Sequence, residues 1–315
     1  MAGAAPPGDP HPCATEVRSV KHMVKDQRVG AIVVTFHPRP EYLENLAKIR
    51  GQVDLLIVVD NGSNDNELAQ IRIASDELGF KLIENEDNLG IGAALNLGVR
   101  EAQKEGCRWV ALFDQDSAVT DGFITTMISE FQTYSQERKI MQIIPRYLDP
   151  ETGVERTVSS FEDGGVFLTI TSGSLFSMEA FEKCGLFQED LFIYCVDDDY
   201  SLRIRKNGFF IGVSNDAVLL HQSGHPTSRK LFGVTLTTKN YGPDVRYYYA
   251  RNKVWILRSY GKAFPRLIVP TLREFVAIPL KIALMEDGPW EKIKLFVRGL
   301  ADGLAGRMGR LRQAE

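Results

Sequence analysis

Along this chain apolar residues gather in short unbroken runs, and the stretches between the runs are amphipathic. Residues 28–36, 53–59, 81–85 and 108–113 read as strands, most of them without polar alternation, the mark of a strand buried on both faces. Stretches with helical periodicity at 41–50, 65–78 and 91–104 separate them. Pro38 and Pro40 end the first run and open the first helix, and Asp60-Asn61-Gly62-Ser63 closes the second run. Strands alternating with helices predict a mostly parallel sheet with right-handed crossovers. A helix over 122–135 and an apolar segment over 140–147 follow. After about residue 148 the rhythm changes. A turn at 149–153 precedes a strand over 166–170, helices over 178–183 and 197–206, and strands over 209–213 and 217–220. Residues 222–245 hold Gly, Pro, Ser and Thr without periodicity and read as a mobile loop. Residues 246–259 and 264–305 are mainly helical, with Pro270, Pro279 and Pro289 breaking the last stretch into short helices. The expected organisation is a flexible leader over 1–27, an α/β domain over 28–262 with halves at 28–120 and 121–262, and a helical C-terminal extension over 263–315.

Composition narrows the class. An apolar fraction of 44% and a charged fraction of 25% are ordinary for a globular protein. A net charge of -4 argues against nucleic acid as a partner. Cys13, Cys107, Cys184 and Cys195 are scattered with no C-x-x-C pair, which argues against a zinc site or disulfide framework and fits a reducing cytosol. Residues 1–27 carry no apolar core of a signal peptide, and no apolar run is long enough for a spanning helix. The location expected is cytoplasmic.

Candidate chemistry sits at strand ends. The run from Trp109 to Phe113 delivers Asp114 and Asp116 to the carboxyl edge of a strand, one residue apart and sharing parity. In an open α/β sheet that edge is the ligand crevice. Two such carboxylates repel unless a cation lies between them, and an acidic turn without a ligand is the competing reading. Asp60 ends a second strand at the same edge, where it suits a nucleotide imide or ribose hydroxyl, or simply its own turn. The stretch Asn88, Gly90, Gly92, Asn96, Gly98 opens a helix with small residues, which admits an anion to the helix N-terminus or packs helix on sheet. Its glycines do not fit a dinucleotide fingerprint. Phe192, Ile193 and Tyr194 run into Asp197, Asp198 and Asp199. Helix capping explains one or two of those acids. Asp199 can pair with Arg203 at i, i+4, which leaves Asp197 placed to act as a general base. His221 follows an apolar strand and can complete a metal site with Asp116. Arg246 to Asn252 interleaves Arg with Tyr, which suits a diphosphate or sugar, or a plain amphipathic helix.

Taken in order, Asp60-Asn61-Gly62-Ser63, Asn88…Gly90…Asn96, Asp114-Gln115-Asp116, Thr171-Ser172-Gly173-Ser174, Val196-Asp197 and His221 resemble the inverting family-2 glycosyltransferases of GT-A fold. Within that family the chain is most similar to bacterial rhamnosyltransferases, over residues 28–260. The resemblance implies an α/β GT-A fold with a Rossmann-like, mostly parallel central sheet. It implies donor contacts from Thr35, Asp60, Asn88, Gly90, Asn96, Asp114, Gln115, Arg251 and Asn252. Acceptor contacts would come from Ser172, Gly173, Ser174 and Asp198. Asp116 and His221 would hold Mg²⁺ or Mn²⁺, and Asp197 would be the catalytic base. The reaction implied is transfer of L-rhamnose from dTDP-β-L-rhamnose to a glycan or glycolipid hydroxyl, with UDP-galactofuranose as the alternative donor. Departures are His37 where many relatives carry Asn, and Val196 where many carry Glu. A sugar nucleotidyltransferase would also use paired carboxylates, but needs a Gly-rich basic loop where Phe36-His37-Pro38-Arg39-Pro40 stands. A nucleotide- or carbohydrate-binding module would not need Asp116, Asp197 and His221 together. The basic, apolar stretch 264–312 suits peripheral contact with the inner face of the cytoplasmic membrane, or packing on the domain, or an oligomer contact.

Overall fold

The computed structural model describes residues 27–39, 41–150, 152–220, 227–231, 234–238 and 240–311. The first half alternates as its apolar runs require: β1 (Val29–Thr35), α1 (Tyr42–Arg50), β2 (Leu55–Asp60), α2 (Asp65–Leu78), β3 (Lys81–Glu84), α3 (Ile91–Lys104) and β4 (Trp109–Asp114). Asn64 starts α2 through a reciprocal capping box with Glu67, and Gly79 ends it in the left-handed conformation. The chain continues through β5 (Ala118–Val119), α4 (Phe123–Ser135), β6 (Ile140–Leu148), β7 (Ser159–Ser160), β8 (Val166–Leu168), β9 (Leu175–Ser177), α5 (Met178–Cys184), α6 (Val196–Lys206) and β10 (Phe210–Leu220). It closes with β11 (Thr227–Leu231), β12 (Val234–Thr238), α7 (Pro243–Tyr260), α8 (Ile268–Met285) and α9 (Pro289–Ala305).

Eight strands form one sheet in the order β3-β2-β1-β4-β9-β6-β10-β5. The pairs β1–β2, β1–β4, β2–β3 and β6–β10 are parallel, whereas β9 runs against both β4 and β6. The register sets Thr35 beside Asp60 and Val34 beside Asp114, so both acids reach one sheet edge, as their strand-end positions predict. Ile32, Leu56, Ile57, Val58, Val110 and Ala111 are fully buried between the helical layers, which is why their strands read as unbroken apolar runs.

Four sequence expectations need correction. Part of the supposed loop 222–245 is a hairpin, since β11 and β12 pair antiparallel from Thr227–Thr238 to Leu231–Val234. Residues 209–213 and 217–220 belong to one strand, interrupted by a register shift between Val213 and Val218. There Ser214 Oγ accepts from the Ala217 N–H and Glu130 accepts from the N–H groups of Asn215 and Asp216, so side chains replace the missing ladder bonds. The strand expected over 166–170 ends at Leu168. Pro279 does not break the C-terminal stretch: it lies inside the 18-residue α8, and Pro270 sits in that helix's first turn. One missing hydrogen bond is tolerated when neighbouring turns stay packed. Gly299 and Gly303 let α9 lie directly on α7, where a Cβ would stand 2.3 Å from the Tyr247 carbonyl oxygen and 2.7 Å from that of Arg251. No described helix is long and apolar enough to cross a membrane.

Candidate active site

Asp114 and Asp197 line one cavity of about 310 Å³ at the carboxyl edge of the sheet, walled by Thr171, Ser172, Ile193 and Tyr194. β4 carries Asp114 to its last position, and α6 presents Asp197 in its first turn. The three consecutive acids have separate fates. Asp199 is buried and paired with Arg203 and the Tyr260 hydroxyl, Asp198 pairs with Lys253 at 3.1 Å, and Asp197 faces the cavity. Thr171 Oγ1 donates to Asp197 Oδ1 at 3.0 Å. Burial, with the charges of Asp114 and Asp198, pushes the Asp197 carboxyl up to about 7, against the pull of the Thr171 bond. Burial and the charge of Asp116 push Asp114 up to about 6. A group that titrates near neutrality at the floor of a cleft is suited to proton abstraction.

The other expected site residues fall into distinct groups. Asp60 is buried and accepts from Thr35 Oγ1 at 3.0 Å, Ser63 Oγ at 2.6 Å and the Ser63 N–H at 2.9 Å. It thus organises the turn after β2. His37 joins that turn, its N–H donating to Ser63 Oγ at 3.0 Å and its Nδ1 lying 2.7 Å from Glu67. Gln115 Oε1 accepts from the Phe36 N–H at 2.9 Å, tying the β4 turn to the end of β1. Asn88 Oδ1 accepts from Asn61 at 3.1 Å and from the Gly90 N–H at 2.9 Å. Gly90 has φ 86°, and a Cβ there would meet the Phe192 carbonyl oxygen at 2.6 Å. The Ile91 N–H donates to that same oxygen at 2.8 Å, so the start of α3 packs on the segment before Asp197.

Several residues expected at the ligands are occupied within the protein. Asn96 is buried, bonding the Phe187 backbone at both ends and Glu189 at 2.8 Å. Arg251 is wholly buried, and its guanidinium donates to the carbonyls of Asp190, Leu191 and Gly309. Asn252 donates to the carbonyls of Leu191, Ile193 and Tyr194 at 2.8–2.9 Å. All three were expected at the donor and instead hold residues 187–194. That segment needs holding, because Phe192, Tyr194 and Cys195 are non-glycine residues with φ of 63°, 66° and 59°. Ser172 and Ser174, expected at the acceptor, are buried: Ser172 Oγ accepts from the Asp114 N–H and bonds Ser117, and Ser174 Oγ donates to Ile170. The Gly173 N–H donates to the Leu112 carbonyl at 2.7 Å. The run 171–174 therefore buttresses the end of β4. Thr171 and Tyr194 were not singled out as site residues, although both lie in the runs that carried the prediction.

Asp116 is exposed beside Asp114, whose carboxyl it perturbs, and such hard oxygen donors suit Mg²⁺ or Mn²⁺. His221, the expected second ligand, lies outside the described residues. Among the described residues no three His, Cys, Asp or Glu side chains cluster as a metal site.

Comparison with known proteins agrees with this geometry. Residues 31–185 match the family model described as Glycosyl transferase family 2. The chain is 26% identical over 306 residues to dTDP-rhamnosyl transferase RfbF of Shigella flexneri, covering 90% of this chain and 98% of that one. It is 25% identical over 291 residues to galactofuranosyltransferase GlfT1 of Mycobacterium tuberculosis, covering 85% of this chain and 94% of that one. In fold it is similar to S. aureus TarS 1–349 in complex with UDP-GlcNAc, at TM-score 0.59 and 16% identity over 88% of this chain and 81% of that one. It spans half the length of the longer TarS chain. It is also similar to the mannosyltransferase PcManGT of Pyrobaculum calidifontis in complex with GDP-Man and Mn²⁺, at TM-score 0.53 and 19% identity over 90% and 76%. Residues 31–185 are a family-2 glycosyltransferase domain, and with the likeness to two transferases over most of the chain they make the protein a glycosyltransferase of GT-A fold.

Proposed function

We propose that the protein transfers L-rhamnose from dTDP-β-L-rhamnose to a hydroxyl of a glycan or glycolipid, with inversion at the anomeric carbon. The observation that carries the chemistry is the carboxylate of Asp197, poised near neutrality and facing the same cavity as Asp114. Thr171 fixes one oxygen of Asp197, which orients the carboxylate toward an acceptor hydroxyl. As that hydroxyl oxygen bonds the anomeric carbon, its proton passes to Asp197 and the bond to the diphosphate oxygen breaks on the opposite face. On this reading Asp114 contacts the donor ribose and Asp60, with the turn it organises, the nucleotide base. Asp116 and His221 would hold a divalent cation, which supplies charge neutralisation for the departing diphosphate. Ile193 and Tyr194 give the acceptor an apolar and aromatic wall.

The donor sugar rests on the likeness to the Shigella enzyme, and galactofuranose is the second reading because the mycobacterial transferase is nearly as similar. Peripheral membrane contact is part of the proposal. α8 exposes Val269, Leu272, Val276, Leu280 and Leu284, with Arg273 and Lys281 beside them, and Trp290 stands 82% exposed at the head of α9. An apolar stripe edged by Arg273 and Lys281 suits the inner, anionic face of the cytoplasmic membrane, although the exposed Asp287 and Glu291 flank Trp290. The deciding experiment compares turnover of dTDP-L-rhamnose, UDP-galactofuranose and UDP-glucose by wild type and Asp197→Asn. The variant is expected to lose about 10²–10⁴-fold in kcat with donor affinity intact. Retention of more than about a tenth of kcat removes Asp197 as base, and a clear preference for either UDP sugar removes rhamnose.

A further inference from the structure

Behind the wall of the Asp197 cavity lies a buried polar cluster that the proposed transfer step does not use. Ser117, Gln142, Tyr147, Ser172 and Ser174 are each no more than 2% exposed, while the core around them is apolar, with Ile143, Ile144, Leu175, Phe176 and Leu219. A buried hydroxyl or amide destabilises the fold unless it is bonded, and apolar side chains of like volume would fill this space without that demand. A bonded network, in return, holds its members in one arrangement. Here the bonds converge on the run 170–174. Gln142 Nε2 donates to Ser174 Oγ at 3.0 Å, and Ser174 Oγ donates to the Ile170 carbonyl at 2.9 Å. Tyr147, near the end of β6, donates from its hydroxyl to the Ser172 carbonyl at 3.1 Å, with the Ile170 carbonyl at 3.4 Å.

The two carbonyls that Tyr147 reaches lie on either side of Thr171. A trans peptide points its C=O and N–H in opposite directions. Holding the Ile170 carbonyl in the core therefore turns the Thr171 N–H away from the core, and holding the Ser172 carbonyl pins the chain where it leaves Thr171. From this fixed stretch the Thr171 hydroxyl donates to Asp197 Oδ1 at 3.0 Å. Burial disfavours the charged form of Asp197, and the hydroxyl and the backbone of Thr171 both oppose that effect. The same run reaches the other carboxylate, since Ser172 Oγ accepts from the Asp114 N–H at 3.3 Å. A phenol in the core thus stands behind the one residue that orients Asp197.

We propose that Tyr147 is a positioning residue for the transfer: its hydroxyl holds the backbone around Thr171 so that Thr171 keeps Asp197 aligned on the acceptor hydroxyl. The proposal rests on Asp197 as the base, and the test separates the two. Release of nucleoside diphosphate is measured at neutral pH with the sugar nucleotide that wild type turns over fastest. The proteins compared are wild type, Tyr147→Phe, Thr171→Val, the double variant, Tyr134→Phe and Asp197→Asn. Phenylalanine keeps the ring of Tyr147 and removes only the hydroxyl. Tyr134→Phe is the control for a plain loss of stability, because its hydroxyl also donates to a carbonyl, that of Val213 at 3.1 Å, and it does not line the cavity. Tyr147→Phe is expected to lower kcat about threefold, the usual worth of one net hydrogen bond, with the donor KM within about twofold of wild type. Tyr134→Phe should keep both constants. In the Thr171→Val background the loss from Tyr147→Phe should shrink, because the hydroxyl that Tyr147 aligns is gone. An inactive Asp197→Asn together with an unchanged kcat in Tyr147→Phe overturns the proposal and leaves the base in place. So does an equal loss from Tyr147→Phe in both backgrounds, or an equal loss in Tyr134→Phe. Retention of more than about a tenth of kcat by Asp197→Asn overturns the base itself, and the positioning role with it.

Discussion

Thr171→Val tests whether the hydrogen bond to Asp197 sets the pH at which the enzyme works. Valine keeps the shape of threonine and removes the hydroxyl that donates to Asp197 Oδ1 at 3.0 Å. That bond stabilises the charged carboxylate and so opposes the upward push of burial. Hydrogen bonds to charged groups contribute about 1.5–3 kcal/mol, and for a carboxylate only partly shielded from water the lower end applies. Divided by 1.36 kcal/mol per unit, this is a shift of about one unit upward. The base is the ionised form, so activity rises with pH through the carboxyl's titration point. The acid limb of kcat/KM should therefore move from about 7 to about 8, with roughly a fivefold loss at neutral pH that recovers in alkali. The comparison is a difference between two proteins, so the charge of Asp114 and of a bound cation enters both equally. Initial rates of nucleoside diphosphate release across the pH range measure it. An acid limb that stays in place, or a loss equal at every pH, would show that Thr171 does not tune Asp197.

Asp197→Asn should also stabilise the fold in a pH-dependent way. A carboxyl whose folded value is raised destabilises the native state when ionised, an effect absent below the ordinary carboxylate range and complete above about 7. The variant's melting temperature should exceed wild type most at alkaline pH, and a pH-independent difference would contradict the raised titration. Asn252→Ala removes the donor to three carbonyls and should cost about 2–5 kcal/mol in urea unfolding, with a fall in kcat; a stable variant of normal kcat would separate this residue from the site. Asp116→Ala, or EDTA on the wild type, should weaken donor binding, and undiminished activity in EDTA would remove the metal role of Asp116 and His221.

The first half of the fold is readable because each element announces itself locally. α2 and α3 occupy 65–78 and 91–104 as their periodicity requires, with Asn64 and Gly79 as signals at the ends of α2. Their places at the ends of parallel strands carry Asp60 and Asp114 to one edge. The second half is harder for physical reasons. β9 has three residues, too few for any period, yet it sits at the centre of the sheet. The hairpin β11–β12 pairs two strands of only five residues each, too short for an alternating period to stand out in its Thr-rich sequence. Arg251 and Asn252 illustrate a deeper ambiguity. Their donors fit a diphosphate and a row of carbonyls equally well, and only the approach of residues 190–194 decides between them. Thr171 shows the reverse, a site residue hidden inside a run whose other hydroxyls serve the backbone.

The buried Arg251 joins the segment before Asp197 to the carbonyl of Gly309, more than a hundred residues further along the chain. During synthesis the strands and helices of the first half can collapse as soon as they emerge, since their contacts are mostly with one another. The left-handed stretch at 192–195 cannot lock in the same way, because α9 and Gly309 are still unmade when Asp197 appears. If Asp197 is the base proposed above, a chain still on the ribosome would hold a folded nucleotide half beside an unfinished site, and competence to transfer sugar would arrive late, after residue 309 has docked.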